Sequence, residues 1–266
     1  MNFFYFSNNE KIVKILDRFQ SIDTVFIDLE INGKRARQPN KNSLISNHSY
    51  EDISNIKEHL KNTALGVRIN PFNVNSEYEI NESIRRGADI IMLPMFNYPS
   101  EANDCLNIIN GRCKLDLLFE TPQSLETISE FPLNKIRFVH FGINDLSIAY
   151  RYKNMFECLI SGILEKPTNY LNEKKIVFGI GGIGAYDSKP ISPKLIMKMN
   201  KYYSSSRLIL SRSFLKKLDL SYSEESLLSN QKEINKIFSL VESIKIERYN
   251  DVKQVKSDLE QAITQL

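Results

Sequence analysis

Eight short apolar runs recur along the 266 residues, each followed by a polar turn and a stretch of helical period. They fall at residues 3–6, 24–30, 65–70, 89–93, 115–120, 136–142, 176–180 and 207–210. Alternation of this kind predicts parallel strands joined by crossover helices, and eight such units favour a closed (β/α)8 TIM barrel over an open sheet. Start signals sit between the runs. Ser49 with Asp52 and Ser76 with Glu79 have the spacing of capping boxes, Thr121-Pro122 and Ser192-Pro193 place proline at a first helical position, and Gly87 and Gly111 stand where helices should stop. Ile12, Leu16 and Phe19 predict one core stripe, and Ile80 with Ile84 another.

With 42% apolar residues the chain can bury one large core, so residues 1–266 are expected to form a single domain. About 216–266 form a C-terminal helical extension, with Val252, Val255, Leu259 and Ile263 as an apolar stripe that must cover either this barrel or a neighbouring subunit. A homo-oligomer is expected. Lys plus Arg number 35 against 32 Asp plus Glu, a net +3 too small and dispersed to suggest nucleic acid. No apolar run approaches the ~20 residues of a membrane span, and residues 3–6 lack the basic leader and length of a signal peptide. Cys105, Cys113 and Cys158 show neither metal-ligand nor disulfide spacing, which suits reduced thiols in a cytoplasmic protein.

Parallel barrel strands all end at one rim, so polar residues that interrupt the apolar runs at their C-terminal ends gather there. That filter selects Asp28, Glu30, Arg68, Glu120, Asp145 and the cluster Ser211-Arg212-Ser213. Glu120 and Asp145 suit a hard cation such as Mg2+, which takes one or two protein carboxylates and fills its other positions with water and substrate. Rim acids that cap helices or pair with Lys and Arg are the other reading. Arg68 could bind a carboxylate or stabilise an enolate oxygen, or form a salt bridge to Asp28 or Glu30. Lys34 and Arg37 add two bases in the loop that follows. Residues 179–184, with Gly181 and Gly182, formally match a dinucleotide fingerprint, but Pro190 and Pro193 follow before the next helix, so a nicotinamide cofactor is rejected. A glycine loop approaching a phosphate or carboxylate, or a bare tight turn, remains. Of the three histidines, His48 falls in a loop, His59 in a helix, and His140 reads as a satisfied core residue.

In these surroundings the chain resembles the HpcH/HpaI aldolase and citrate lyase β-subunit family of the phosphoenolpyruvate/pyruvate barrels. The resemblance spans about residues 3 to 215. It rests on Phe26-Ile27-Asp28-Leu29-Glu30 with Lys34 and Ala36-Arg37, Val67-Arg68-Ile69-Asn70, Gly87-Ala88-Asp89 with Leu93-Pro94, Leu118-Phe119-Glu120-Thr121, and residues 141–147, Phe-Gly-Ile-Asn-Asp-Leu-Ser. It implies that Glu120 and Asp145 ligate Mg2+ or Mn2+ and that Arg68 contacts the 2-oxo oxygen of a pyruvyl group; beside these, Glu30 and Asp28 are expected as further catalytic residues and Arg37, Gly181 and Gly182 as substrate-binding ones. The implied activity is a carbon–carbon lyase or aldolase acting through a pyruvate-like enolate of a 2-oxo acid or acyl thioester. Two departures matter. Ile31 stands where the family carries histidine or aspartate, and Met95 where a lysine is common after Leu-Pro. A ligand-binding or regulatory barrel that kept the metal pair and lost its base is the alternative.

Overall fold

The computed structural model describes residues 1–31, 47–211, 224–246 and 249–266. Eight parallel strands close in sequence order, each paired to the next and the last to the first. They are β1 (Asn2–Phe6), β2 (Ile22–Asp28), β3 (Ala64–Arg68), β4 (Ile90–Leu93), β5 (Lys114–Phe119), β6 (Phe138–Phe141), β7 (Phe178–Ile183) and β8 (Arg207–Leu210). Around them run α1 (Glu10–Leu16), α2 (Tyr50–Lys57), α3 (Ser76–Arg85), α4 (Pro99–Ile109), α5 (Pro122–Glu126), α6 (Ile143–Ala149), α7 (Glu165–Glu173) and α8 (Pro193–Tyr202). Among the described residues, no helix is long and apolar enough to cross a membrane.

Two cores result from the period-2 alternation of the strands. Between sheet and helices lie residues such as Val25, Ile27, Val67, Leu117 and Phe119. Inside the barrel, Phe4, Phe26, Ile90, Met92, Leu118 and Phe138 interlock. Below them, at the N-terminal end, is a buried ion cluster: Arg137 Nε donates to Asp116 Oδ1 at 2.8 Å while its Nη2 meets Oδ2, and Arg207 pairs with Asp23 at 2.8 Å. Burial pushes the Asp116 carboxyl up despite Arg137.

Most start and stop signals act as expected. Ser49 N–H donates to Asp52 at 2.7 Å, and Thr121 and Ser192 hydroxyls accept from Ser124 and Leu195 N–H at 3.1 and 3.2 Å. Gly87 and Gly111 adopt φ of 104° and 72°. The Ser76–Glu79 box does not form. Asn75 is the cap residue, and Glu79 instead accepts from the Asn70 backbone and side chain at 3.0 and 3.1 Å, fixing the end of β3. On α1 the buried face is Val13, Ile15 and Leu16, with Ile12 only half-buried.

The C-terminal helices α9 (Glu224–Ile246) and α10 (Tyr249–Ile263) pack on α8 of this same barrel. Val255 and Leu259 are fully buried there, and Phe238 closes against Phe3 and Phe19 with ring centroids 5.9 and 5.6 Å apart. The side chain of Val252 lies outside the described residues.

Candidate functional site

Arg68 ends β3, Asp28 ends β2 and Glu30 lies two residues beyond it, so the three meet at the C-terminal rim. Arg68 Nε and Nη2 donate to the two Asp28 oxygens, each at 2.8 Å, and Glu30 approaches Nε at 3.4 Å. Its guanidinium lies over the Phe6 ring, 4.7 Å from the centroid. Burial acts to lower the Arg68 pKa, but Asp28 and Glu30 outweigh it and Glu120 adds to them, so the group stays charged. The salt bridge considered as an alternative role for Arg68 is therefore present, and it holds the guanidinium at the mouth of a cavity.

That cavity, about 630 Å³, is lined by Arg68, Glu120, Asp145, Gly181, Gly182 and His140 among others. Glu120 follows β5 and is buried, with Oε1 accepting from the Met95 backbone N–H at 3.2 Å. Met95 reaches it from a left-handed conformation, φ 54°, unusual for a residue with a side chain. Gly142 makes room on the other side: a Cβ there would stand 2.5 Å from Glu120 Oε2. Asp145, half-buried, lies in the first turn of α6, where a carboxylate is favoured by the helix dipole. Ser211 also lines the cavity.

Among the described residues, no three His, Cys, Asp or Glu side chains converge as metal ligands. Two carboxylates lining one cavity nevertheless match in kind and number what Mg2+ or Mn2+ takes from a protein when water and substrate complete its shell. Lys34, Arg37, Arg212 and Ser213 lie outside the described residues. Ile31 is 55% exposed, its backbone N–H donating to Asn70 Oδ1 at 2.9 Å, and it places no base in this cavity.

The glycines of 179–184 correct the sequence expectation. Gly181 and Gly182 belong to β7, which runs to Ile183, and not to a loop after it. Pairing with β8 shifts register between Gly179 and Gly182. Space and backbone conformation explain both the glycines and the kink: a Cβ at Gly182 would lie 2.8 Å from the Ile209 carbonyl oxygen, and Gly181 has φ of +60°.

His140 was expected to be a satisfied core histidine. It is in the core, but among the described residues neither ring nitrogen has a hydrogen-bond partner. His59 sits just past the end of α2, paired with Glu10 at 3.0 Å, and His48 accepts from the Asp28 backbone N–H at 2.9 Å. The period-2 pattern carried a signal for the barrel interior, because Asp116, Leu118 and Glu120 alternate along and just beyond β5.

No protein-family model matches the sequence, and no curated protein matches it. Solved structures do match the fold. An HpcH/HpaI aldolase from Desulfitobacterium hafniense DCB-2 superposes with TM-score 0.61 at 14% identity, covering 93% of this chain and 94% of that one. Citrate synthase SbnG gives 0.60 at 11% identity, over 88% and 94% of the two chains. RipC from Yersinia pestis gives 0.58 at 12% identity, over 95% and 98%. In fold, then, the chain is similar over nearly its full length to an HpcH/HpaI aldolase, to citrate synthase SbnG and to RipC.

Proposed function

We propose that this barrel is a divalent-metal-dependent carbon–carbon lyase or aldolase acting on a 2-oxo acid, or a related acyl thioester, through a pyruvate-like enolate. The observation that carries the reading is the meeting of Arg68, Glu120 and Asp145 on one rim cavity, with Arg68 clamped by Asp28 and Glu30. The same reading takes residues 1–266 as one domain, acting in the cytoplasm as a homo-oligomer on a small-molecule substrate.

In this scheme Glu120 and Asp145 hold Mg2+ or Mn2+, which supplies positive charge to the carboxylate and 2-oxo oxygens of the substrate. Arg68 has two of its three nitrogens engaged by Asp28, which leaves Nη1 to meet the oxygen where negative charge accumulates. Asp28 and Glu30 keep that nitrogen in place, so little reorganisation is needed as the charge develops. Gly181 and Gly182, which line the cavity, and Arg37 are assigned to substrate binding. Glu30 remains a candidate base, in contact with Arg68.

A screen of 2-oxo acid aldols and thioesters for release of pyruvate or oxaloacetate tests the activity. Release that requires Mg2+ or Mn2+ is expected, and metal-independent release would overturn the scheme. Two variants test the metal pair by Mn2+ titration. Glu120→Ala is expected to weaken binding at least 100-fold; an unchanged affinity would return Glu120 to a rim ion pair. Gly142→Ala would push the Glu120 carboxylate aside, and a loss of about 10- to 100-fold is expected, as for other residues that orient a ligand from behind.

Ile31, which offers no base where the family carries histidine or aspartate, favours a second reading, a barrel that binds an oxo acid and metal without turnover. Metal-dependent oxalate binding with no substrate turned over would favour it.

A further inference from the structure

His140 lines the cavity and is fully buried, and among the described residues neither Nδ1 nor Nε2 has a hydrogen-bond partner. The Gly181 backbone is near enough to favour the protonated ring, second only to burial in its effect, without a hydrogen bond of normal geometry. Leaving a buried polar group unpaired costs about 1–3 kcal/mol, and native proteins pair nearly all of them. An apolar side chain would avoid that cost. The neighbours are apolar: Phe4 meets the imidazole edge-on at 4.9 Å, Phe138 lies 6.0 Å away, and Leu118 is its register partner on β5. The fold also makes space for the ring, since a Cβ at Gly179 would stand 2.6 Å from Nδ1.

Two roles for this imidazole fail. It does not complete a metal site with Glu120 and Asp145, because no such set of three converges among the described residues. Nor is it a base at neutral pH: burial pushes its pKa down to about 3, and Arg207 and Arg68 act in the same direction. A neutral donor and acceptor remains.

Its depth says which part of a ligand it would meet. Leu118 and His140 are in register, and Glu120 is two residues further along β5. At ~3.3 Å rise per residue along strands tilted by about 36°, His140 lies roughly 5 Å deeper than the Glu120 carboxylate. Subtracting one hydrogen bond of about 2.8 Å leaves a gap of roughly 2–3 Å, the reach of an oxygen on the carbon next to the oxo carbon.

We infer that His140 is a specificity-determining residue that hydrogen-bonds a neutral oxygen, a hydroxyl or carbonyl, carried beyond the pyruvyl group of the substrate and directed into the barrel. This rests on the oxo-acid reading of the same site. Pyruvate and 3-hydroxypyruvate, which differ by one hydroxyl, are the probes, titrated with Mg2+ present into the wild-type protein, His140→Phe and His140→Gln. The wild type should bind hydroxypyruvate about five- to tenfold more tightly than pyruvate, the worth of one such bond. His140→Phe should erase that preference while pyruvate affinity stays within twofold, and His140→Gln should retain part of it.

Thermal melting separates this from a purely structural role. His140→Phe should melt at or above the wild-type temperature, since it removes an unpaired polar group; a large drop would overturn the inference. In histidine 13C NMR, where the chain has three such residues, hydroxypyruvate should shift the resonance lost in His140→Gln more than pyruvate does. Equal affinities and equal shifts for the two probes would overturn the His140 role alone. Failure of both probes to bind with Mg2+ would overturn the oxo-acid reading together with it.

Discussion

Arg68→Lys is expected to slow removal of a proton from bound pyruvate by about 100-fold or more, while the affinity for oxalate with Mg2+ changes by only a few-fold. The asymmetry follows from what the guanidinium already does. Two of its nitrogens are occupied by Asp28 at 2.8 Å, its face lies over Phe6, and Glu30 approaches at 3.4 Å. One nitrogen is left at a fixed position, and in the proposed chemistry charge would build on the oxygen it faces only as the enolate forms. Lysine keeps the positive charge but lacks the planar fork, so its single ammonium must choose between Asp28 and the ligand. Exchange rates of the pyruvate methyl group and oxalate titration on the same preparations read the two effects separately. Equal losses in both would mean that Arg68 serves ground-state binding, and no loss in either would leave it only its partnership with Asp28 and Glu30.

The second large effect lies at the opposite end of the barrel. Asp116→Ala is expected to destabilise the fold by about 3–5 kcal/mol, because it strands Arg137 beside a closed aromatic interior. Asp116 is fully buried, and Arg137 contacts it through Nε and Nη2 while also reaching Thr24 at 3.2 Å. Arg207, which stacks on Phe138 at 4.5 Å, loses the same negative charge from its surroundings. For a domain of this size the melting temperature should fall on the order of 10 °C. The double variant Asp116→Leu with Arg137→Met should recover much of the loss, since the penalty comes from one unpaired charge and not from absence of the pair. A fall of less than about 2 °C in Asp116→Ala would show that the cluster is better hydrated than its burial indicates.

The strands were legible because each carries β-branched or aromatic residues bounded by turn chemistry, and all eight expected runs overlap an observed strand. The rim residues followed from one rule, that polar side chains ending apolar runs collect at one face of a parallel barrel. Asp28, Glu30, Arg68, Glu120 and Asp145 all obey it. What escaped depends on space and backbone conformation. The glycines of β7 lower strand propensity and imitate a loop; their reason lies in the Ile209 carbonyl and the His140 ring, which come from other strands. Glu79 has the spacing of a cap but finds a better partner in Asn70. Met95 looks like a lost lysine in the sequence, whereas in the fold its backbone N–H holds Glu120. That His140 finds no partner among the described residues could not be read from one strand, since it is a property of every residue around the ring.

Whether this protein makes an enolate is the most direct test of its function. In deuterated water with Mg2+ or Mn2+, proton NMR should show the pyruvate methyl signal decaying with the wild-type protein, and not with Glu120→Ala or after chelation of the metal. No decay across a panel of divalent metals, with oxalate still bound in a way that needs Glu120, would contradict enolate chemistry and leave a barrel that only binds.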